Sequence, residues 1–244
     1  MLAHDLRWRI LSALTLSDLR VGELTRILDQ PANLVSYHLR LLRENGLVMA
    51  RRSSADGRDM YYCLNLARLQ ASYFAAGEQL HPALHVEVSC LKPPGLSLDR
   101  PLRVLFVCTH NSARSQMAEG LMRHAAGESA EIYSAGSQPT FVHPLAVQVM
   151  AARGIDISGH RSKHIAEFRA QSFDYLITVC DRAREVCPVF PDRPVNIHWS
   201  LPDPVELGNT EQERRRAFED TADQLTRRIH YLLNLIDKQK GTNL

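Results

Sequence analysis

Hydrophobic positions in the first third of the chain recur with a helical period and then alternate. The helical spacing predicts three amphipathic helices, at residues 4–14, 21–28 and 31–44. The alternating apolar residues predict two strands, at residues 47–52 and 60–64. Asp56-Gly57 lies between these strands and is typical of a hairpin turn. A further helix is predicted over residues 67–80.

The second half of the chain alternates between short apolar runs and helical patterns. The apolar runs predict strands at residues 102–107, 131–134, 175–179 and 195–198. The helical patterns predict helices at residues 115–126, 144–153, 165–171 and 211–238. Such alternation predicts an α/β fold in which helices cover both faces of a four-stranded parallel sheet. Loops at the carboxyl ends of these strands are the expected place for chemistry.

Length and composition indicate two folded domains. A chain of 244 residues exceeds the usual single domain, and a hydrophobic content of 45% supports packed cores. Residues 92–101 are rich in proline and lack periodicity, so we predict a linker there. The predicted domains are therefore residues 1–91 and residues 102–244.

Charge, cysteine content and the first residues narrow the class of protein. The net charge of +2 is too small to indicate nucleic-acid binding by itself. Five cysteines favour thiol chemistry over a disulfide framework in a chain of this kind. No apolar run has membrane-spanning length, and the first residues lack the basic-then-apolar pattern of a signal peptide. We therefore expect a cytoplasmic protein.

Cys108 ends the first strand of the second domain, and a helical pattern begins a few residues later. A strand, a short loop and a helix N-terminus direct successive backbone N–H groups towards one point, which forms a cradle for an oxyanion. The residues predicted to form this cradle are Thr109, His110, Asn111, Ser112, Ala113 and Arg114.

The cradle is expected to activate Cys108 as a nucleophile. The helix dipole and the Arg114 guanidinium favour the thiolate, and the Ser115 hydroxyl can donate a hydrogen bond to its sulfur. A lone cysteine after an apolar run is also a common core residue. The spacing of Arg114 and Ser115 favours the nucleophile.

Two further cysteines and an aspartate lie near the ends of later strands. Cys180 ends the third strand and Cys187 follows seven residues later, so the two thiols can pair if the segment between them moves. Two separately buried thiols are the alternative interpretation. We expect Cys187, beside Pro188, to lie in an exposed segment. Asp203 follows the last strand and is a candidate general acid, although Asp-Pro also commonly starts a turn.

The first domain has the element order of a winged helix-turn-helix. In that arrangement the helix at 31–44 enters the major groove, and the basic hairpin lies along the phosphate backbone. The side chains predicted to face DNA are Asn33, Ser36, Tyr37, Arg40, Arg43, Arg51, Arg52 and Arg58. The predicted core face of the same helix comprises Leu34, Val35, Leu39 and Leu42. A small helical domain with a solvated, charged surface remains the alternative.

The first ninety residues resemble the ArsR-type winged-helix repressors. The motifs that carry this resemblance are Leu6-Arg7-Trp8-Arg9-Ile10-Leu11, Val35-Ser36-Tyr37-His38-Leu39-Arg40-Leu41-Leu42 and Tyr61-Tyr62-Cys63-Leu64. The resemblance implies a homodimer, paired with the help of the helix at 67–80, that binds palindromic operator DNA and releases it on binding a metal or metalloid.

The sequence departs from the arsenic-sensing members of that family. Their Cys-x-Cys pair is absent from Val21-Gly22-Glu23-Leu24-Thr25. Cys63 and Cys90 are candidate thiol ligands, but a cysteine in a wing strand commonly serves packing. His81 and His85 have the spacing of one helix face, and Pro82 between them favours a simple helix end. We therefore predict no metal site.

Residues 103–235 resemble the low-molecular-weight tyrosine phosphatase fold, and within it the thioredoxin-coupled arsenate reductases. The motifs that carry the resemblance are Cys108-Thr109-His110-Asn111-Ser112-Ala113-Arg114-Ser115, Gln116-Met117-Ala118-Glu119-Gly120, Ser134-Ala135-Gly136, Gly154-Ile155-Asp156-Ile157-Ser158, Thr178-Val179-Cys180-Asp181, Cys187-Pro188, His198-Trp199 and Asp203-Pro204. Phosphatases of this fold share the first cysteine, the arginine and the aspartate but need no second cysteine pair.

The resemblance implies a reduction carried by three thiols. Cys108 attacks arsenate held by the loop amides and Arg114, and Asp203 protonates the departing oxygen. Cys180 then attacks Cys108 and releases arsenite. Cys187 takes over Cys180 in a disulfide that an external thiol protein such as thioredoxin reduces. No cofactor is implied beyond that reductant.

Some of these relatives also bind potassium near the loop. Asn111, Glu119 and Ser134 match that site, but Lys163 stands where those members place an aspartate. The resemblance therefore implies that the lysine charge replaces the cation.

Three functions remain open from the sequence. The first is an arsenate reductase fused to an ArsR-family transcriptional regulator. The second is a phosphatase acting on phosphotyrosine or small phosphomonoesters, and the third is a repressor whose second domain senses an oxyanion without turnover. Cys180 and Cys187 favour the first function, because hydrolysis does not require them.

Overall fold

The computed structural model describes residues 4–81 and 100–241, with side chains described as far as residue 238. The chain divides into two compact units, Met1–Leu91 and Lys92–Leu244. Most of the predicted linker, and with it Cys90 and His85, lies outside the described residues. Within those residues, no helix combines the length and the apolar character needed to cross a membrane.

The first unit contains four helices and a three-stranded antiparallel sheet among its described residues. The helices are α1 (Asp5–Ala13), α2 (Val21–Leu28), α3 (Ala32–Glu44) and α4 (Leu66–Leu80). The strands are β1 (Leu19–Arg20), β2 (Val48–Arg52) and β3 (Met60–Leu64), in the order β1-β3-β2. β2 and β3 form the predicted hairpin, with Ala50 opposite Tyr62. The short strand β1 was not predicted, since two residues carry no detectable period.

Apolar side chains from α1, α2, α3 and β2 form the core of this unit. Its largest fully buried members include Ile10, Leu24, Leu39 and Leu42. The prediction that Leu34 belongs to this core is wrong, because its side chain is exposed. His38 takes the inward position, as the residue three after Val35 on the same helical face. The imidazole packs against the ring of His4, with centroids 4.4 Å apart.

The second unit is built on a four-stranded parallel sheet, which confirms the predicted fold class. Its strands are β4 (Leu102–Cys108), β5 (Ala130–Gly136), β6 (Tyr175–Thr178) and β7 (Val195–His198), in the order β5-β4-β6-β7. The first strand, β4, lies between β5 and β6, and six of its seven residues are buried. The carboxyl end of β4 is therefore surrounded by the loops that follow its two neighbours.

Four α-helices accompany this sheet among the described residues. They are α5 (Arg114–Ala126), α6 (Pro144–Ala151), α7 (Asp181–Val186) and α8 (Glu211–Gly241). The long helix α8 contacts α5 and α6 and buries one face, which includes Phe218, Leu225, Ile229 and Leu233. Residues 165–171 were predicted as a helix, but only Ile165–Phe168 are helical, as a 3₁₀ turn. A segment this short cannot form a stable α-helix and closes in the tighter geometry.

Candidate functional site

Cys108 is the last residue of β4, and Arg114 is the first residue of α5. The loop between them is tied to the segment after β5 by three backbone hydrogen bonds. They run from Gln138 to Thr109, from Thr140 to His110 and from His143 to Ser112. Of the predicted cradle residues, only His110 is exposed and Ser112 is half-buried, so the loop is a fixed part of the unit.

The Cys108 sulfur makes one hydrogen bond to the middle of this loop and one to the first turn of α5. Its Sγ lies 3.0 Å from Ser115 Oγ, and the Asn111 backbone N–H donates to it over 3.1 Å. Asn111 has a left-handed backbone with a φ of 47°. That turn packs against Gly136, where a Cβ atom would lie 2.6 Å from the Thr109 carbonyl oxygen. A side chain at position 136 would therefore push the loop away.

The Asn111 side chain connects the loop to three other segments. Its Nδ2 donates to Ser115 Oγ and to Ser134 Oγ, each over 2.8 Å. Its Oδ1 accepts from the Lys163 backbone N–H over 2.7 Å and from Gln116 Nε2 over 2.9 Å. A fully buried amide with all these bonds made fixes the loop in one conformation.

Opposing effects act on the ionisation of the Cys108 thiol. Burial raises the pKa of the Cys108 thiol above its ordinary value, and the nearby Cys180 acts in the same direction. Arg114, the Ser115 hydroxyl and the Asn111 amide lower that pKa, but they do not outweigh burial. The expected influence of Arg114 and Ser115 on the thiol is present, but burial opposes it, and the desolvation cost of a buried anion was not visible in the motif.

Arg114 is held by the loop after β7. Its guanidinium donates to the Leu201 carbonyl oxygen over 3.0 Å and forms an ion pair with Asp203. Arg114 is buried, and the Asp203 side chain is 18% exposed. The Asp203 carboxylate also accepts from the Val205 N–H, which fixes the start of a 3₁₀ turn at Pro204–Glu206. The structure thus brings the predicted acid to the predicted oxyanion-binding arginine.

Cys180 lies beside the same loop. Its Sγ is 3.3 Å from Thr109 Oγ1, it is buried, and it caps the N-terminus of α7 by accepting from the Ala183 N–H over 3.4 Å. Cys187 follows the end of α7 and is only half-buried. The expectation of an exposed segment is right for the neighbouring Val186 and Val189 but wrong for the thiol itself. Burial raises the pKa of Cys187 to about 11.

An ion pair between Lys163 and the buried Glu119 lies next to the loop residue Asn111. Lys163 Nζ lies 3.1 Å from Glu119 Oε2, which also accepts from Ser134 Oγ over 2.5 Å. Arg123 donates to the other carboxylate oxygen of Glu119 over 2.6 Å. Burial raises the Glu119 pKa, but Lys163 and Ser134 oppose it and the net effect is a lowered pKa. Glu119 is therefore held as a carboxylate.

The predicted DNA-facing side chains form one exposed surface on the first unit. Asn33, Ser36, Tyr37, Arg40 and Arg43 of α3 are all exposed. The Arg40 guanidinium lies over the Tyr37 ring at 5.6 Å and near the Glu44 carboxylate.

The three predicted basic residues of the hairpin differ in exposure. Arg52 and Arg58 are exposed, and Arg51 is half-buried. The Arg52 guanidinium donates to the Gly57 carbonyl oxygen over 3.1 Å, across the hairpin turn. The hairpin thus presents its positive charge close to its tip.

Several site residues were missed by the sequence reasoning. The Leu201 carbonyl holds Arg114, and Gln116 joins the loop to the Arg161 carbonyl oxygen over 2.9 Å. Asp181 and His198 appear in the quoted motifs, but their buried contact was not predicted. A buried position for an aspartate directly after Cys180 carries no local signal, since most aspartates are exposed. In the described part of the chain, no cluster of three or more His, Cys, Asp or Glu residues is placed to hold a metal ion.

Comparison with known protein families gives two matches. Residues 103–242 match the family described as low molecular weight phosphotyrosine protein phosphatase. Residues 4–50 match the arsR family of bacterial regulatory proteins.

Individual relatives match the second unit. The arsenate reductase of Halalkalibacterium halodurans is 38% identical over 126 residues, which are 52% of this chain and 91% of the relative. The arsenate reductase of Bacillus subtilis is 36% identical over 126 residues, which again are 52% of this chain and 91% of the relative. A solved structure of an arsenate reductase in the phosphate binding state is 32% identical, with a TM-score of 0.49, and covers 55% of this chain and 98% of its own.

Proposed function

This chain belongs to the low molecular weight phosphotyrosine protein phosphatase family, and on that premise we propose that it is an arsenate reductase joined to an ArsR-family regulator. The observation that carries the proposal is the position of Cys180. Its sulfur lies 3.3 Å from the Oγ1 atom of Thr109, the loop residue that directly follows Cys108. Hydrolysis of a phosphomonoester has no use for a second thiol at this place, whereas reduction of a bound oxyanion requires one.

The first step binds and attaches arsenate. The oxyanion replaces Asp203 as the partner of the Arg114 guanidinium, which binds tetrahedral oxyanions in a bidentate manner. That anion exchange releases the Asp203 carboxylate from its ion pair, so it can accept the proton that the Cys108 thiol loses and then donate that proton. Cys108 attacks the arsenic atom, an As–O bond breaks, and Asp203 protonates the departing oxygen so that water leaves. Ser115 and the Asn111 amide hold the sulfur during this step.

The second step moves two electrons to arsenic. The Cys180 thiolate attacks the Cys108 sulfur, the S–As bond breaks, and its electron pair stays on arsenic, which leaves as arsenite. Cys187 then attacks Cys180 and frees Cys108, leaving a Cys180–Cys187 disulfide. A dithiol protein of the thioredoxin class, as the external reductant, restores both thiols. The exposed Val186 and Val189 beside Cys187 support an apolar docking surface for such a protein.

We propose that the Lys163 ammonium replaces a bound cation beneath the loop. It lies against the buried Glu119 carboxylate, and the Lys163 backbone N–H binds the Asn111 side chain. A permanent positive charge on the chain itself makes the loop geometry independent of potassium.

The first unit is proposed to bind operator DNA as a homodimer. The support is the exposed polar face of α3, the basic hairpin, and α4, which has no fully buried side chain within the unit. A gel-shift experiment with a duplex from upstream of the gene, with and without arsenite, tests the regulatory part. Binding that arsenite weakens supports control by the reaction product, whereas no binding contradicts the regulator.

The enzymatic proposal is tested by direct measurement of arsenite from purified protein, arsenate and a thioredoxin system. We expect steady arsenite formation by the wild type and no arsenite from Cys180→Ser. Cys187→Ser is expected to stop after at most one arsenite per chain, because Cys187 acts only after arsenite has left. Cys63→Ser, in the other unit, is the matched control and is expected to keep the wild-type rate. Wild-type rates of arsenite formation by Cys180→Ser and Cys187→Ser would exclude the proposed exchange among the three thiols, which we call the thiol relay. Steady hydrolysis of p-nitrophenyl phosphate without reductant, and no arsenite, would instead identify a phosphatase.

A further inference from the structure

Asp181 has a fully buried side chain and directly follows Cys180, one of the three thiols of the proposed reaction. Its Oδ1 accepts hydrogen bonds from His198 Nε2 over 3.1 Å and from Ser200 Oγ over 2.7 Å. His198 is buried as well, and its Nδ1 lies 2.8 Å from Thr178 Oγ1. The steps of the proposed reaction assign no role to these four side chains.

The network joins three elements at one point. Thr178 ends β6 and His198 ends β7, and the two residues lie opposite each other in the parallel register. Asp181 is the first residue of α7. The carboxylate therefore fixes the beginning of α7 to the carboxyl ends of two sheet strands.

The buried side chains of α7 lie in its first three residues. Asp181 and Ala183 are buried, Arg182, Glu185 and Val186 are exposed, and Cys187 is half-buried. The N-terminal end of the segment thus belongs to the core, whereas the C-terminal end lies at the surface. A segment packed in this way opens most readily from its exposed end.

The proposed reaction requires α7 to change its shape. A helix of six residues spans about 9 Å, whereas the Cα atoms of a disulfide are about 4.4–6.8 Å apart. Cys187 therefore reaches Cys180 only if residues between them leave the helical conformation. Cys180 must meanwhile stay beside Cys108, because the disulfide to be exchanged joins those two sulfurs.

We infer that the Asp181–His198 pair, supported by Ser200, is an anchor that holds Cys180 at the cradle while the rest of α7 unwinds. This inference rests on the proposed function, because it assigns a task within the thiol relay. Asp181 and His198 are positioning residues, and they act through the backbone of Cys180. The anchor confines the movement to residues 182–187, so the Cys187 end travels and the Cys180 end does not.

The test separates binding at Cys108 from exchange at Cys180 in the full-length chain. Reduced protein is mixed with arsenate without a reductant, and the Cys108–Cys180 and Cys180–Cys187 disulfides are counted over time by peptide mass spectrometry. In parallel, inorganic phosphate protects Cys108 from iodoacetamide, which reports the cradle alone. Asp181→Asn is expected to slow disulfide formation by about 10- to 100-fold, as a misplaced reacting group does, with unchanged phosphate protection.

Two further variants keep the experiment decisive. Asp174→Asn removes an ion pair with Arg100 just before β6 begins, at the opposite end of the same strand, and is expected to leave the relay unchanged. Ser200→Ala removes one hydrogen bond of the anchor, is the milder variant if Asp181→Asn does not fold, and is expected to slow the relay by a smaller factor.

Two results would overturn the anchor. One is wild-type disulfide formation in folded Asp181→Asn, or in Ser200→Ala if only that variant folds. The other is an equal loss of phosphate protection and exchange, which indicates general damage to the fold. Failure of the wild type itself to release arsenite would contradict the proposed function, so the two failures are distinguishable.

Discussion

The Cys108 thiol lies in a place that both buries it and supplies the groups that ionise it. Burial raises its pKa, while Ser115, Arg114 and the Asn111 amide act against burial. The Arg114 guanidinium also forms an ion pair with Asp203. In the proposed reaction an oxyanion takes the place of Asp203 as the partner of Arg114. The same arginine would then bind the substrate and lower the Cys108 pKa.

Lys163 and Glu119 allow a prediction about a single charge. Lys163→Met leaves the buried Glu119 carboxylate with less compensation and is expected to cost about 3 kcal/mol of unfolding free energy at neutral pH, at the low end for a broken buried pair because Arg123 remains. Urea unfolding measures this difference. Lys163→Arg keeps the charge and serves as the control, and a loss below about 0.5 kcal/mol, the range of ordinary surface substitutions, would contradict the assigned pairing.

The pH dependence of that loss has a definite sign. The folded protein lowers the Glu119 pKa below its ordinary value of 4.5. The stabilisation by Lys163 is therefore present above that pH and disappears as the pH falls through the lowered pKa. The difference in unfolding free energy between the wild type and Lys163→Met should accordingly become smaller as the pH falls. A difference that becomes larger in acid would contradict the pairing of Lys163 with an ionised Glu119.

Cys187, which follows the short helix α7, is expected to react slowly in the folded protein. Since burial raises the pKa of Cys187 to about 11, its thiolate fraction at pH 8 is about 100-fold below that of an exposed cysteine. Alkylation of Cys187 by iodoacetamide should be slower by that factor and should rise about tenfold per pH unit up to about pH 10. Mass spectrometry of the modified peptide measures the rate.

The same cysteine in urea-unfolded protein provides the reference rate for this experiment. Unfolding removes the burial that raises the pKa, so the reference should show the reactivity of an ordinary thiol. Equal rates in the folded and unfolded protein would mean that α7 does not shield Cys187.

The exposed face of α3 gives a prediction at the level of an element. Arg40→Ala is expected to weaken binding to duplex DNA of random sequence and to reduce the slope of log affinity against log salt by about 1, as loss of one phosphate contact does. Fluorescence anisotropy across a salt series measures both quantities. Arg227→Ala removes an exposed arginine from α8 and is the control. An unchanged slope in Arg40→Ala would place the DNA on another surface.

Elements were predictable from the sequence where a periodic pattern is long. The strands of the parallel sheet and the helices α2, α3 and α5 follow from apolar spacing within a few residues. Leu34 and His38 show the limit of this reasoning. The two positions are four residues apart on the same side of α3, and Leu34 lies farther from the centre of the apolar stripe. Hydrophobicity alone assigned Leu34 to the core, whereas packing against the rest of the unit buries His38.

For the whole molecule, the contacts that complete the site join distant parts of the chain. Arg114 meets Asp203 across 89 positions, and Lys163 meets Glu119 across 44. The motifs suggested that these residues share one site, but their pairing could not be read from local pattern. Burial of Asp181 is a further case, since only the parallel pairing of β6 and β7 places His198 above it. These pairings depend on the three-dimensional fold and therefore required the structure.

In the proposed reaction, three thiols of one chain together deliver two electrons to arsenate. The most direct measurement mixes fully reduced protein with excess arsenate without any reductant and counts arsenite and disulfides per chain. We predict that the wild type releases one arsenite per chain, stops, and contains a Cys180–Cys187 disulfide, whereas Cys180→Ser releases none. Absence of arsenite from the wild type, or an equal amount of arsenite from Cys180→Ser, would contradict the proposed reduction of arsenate by these three thiols.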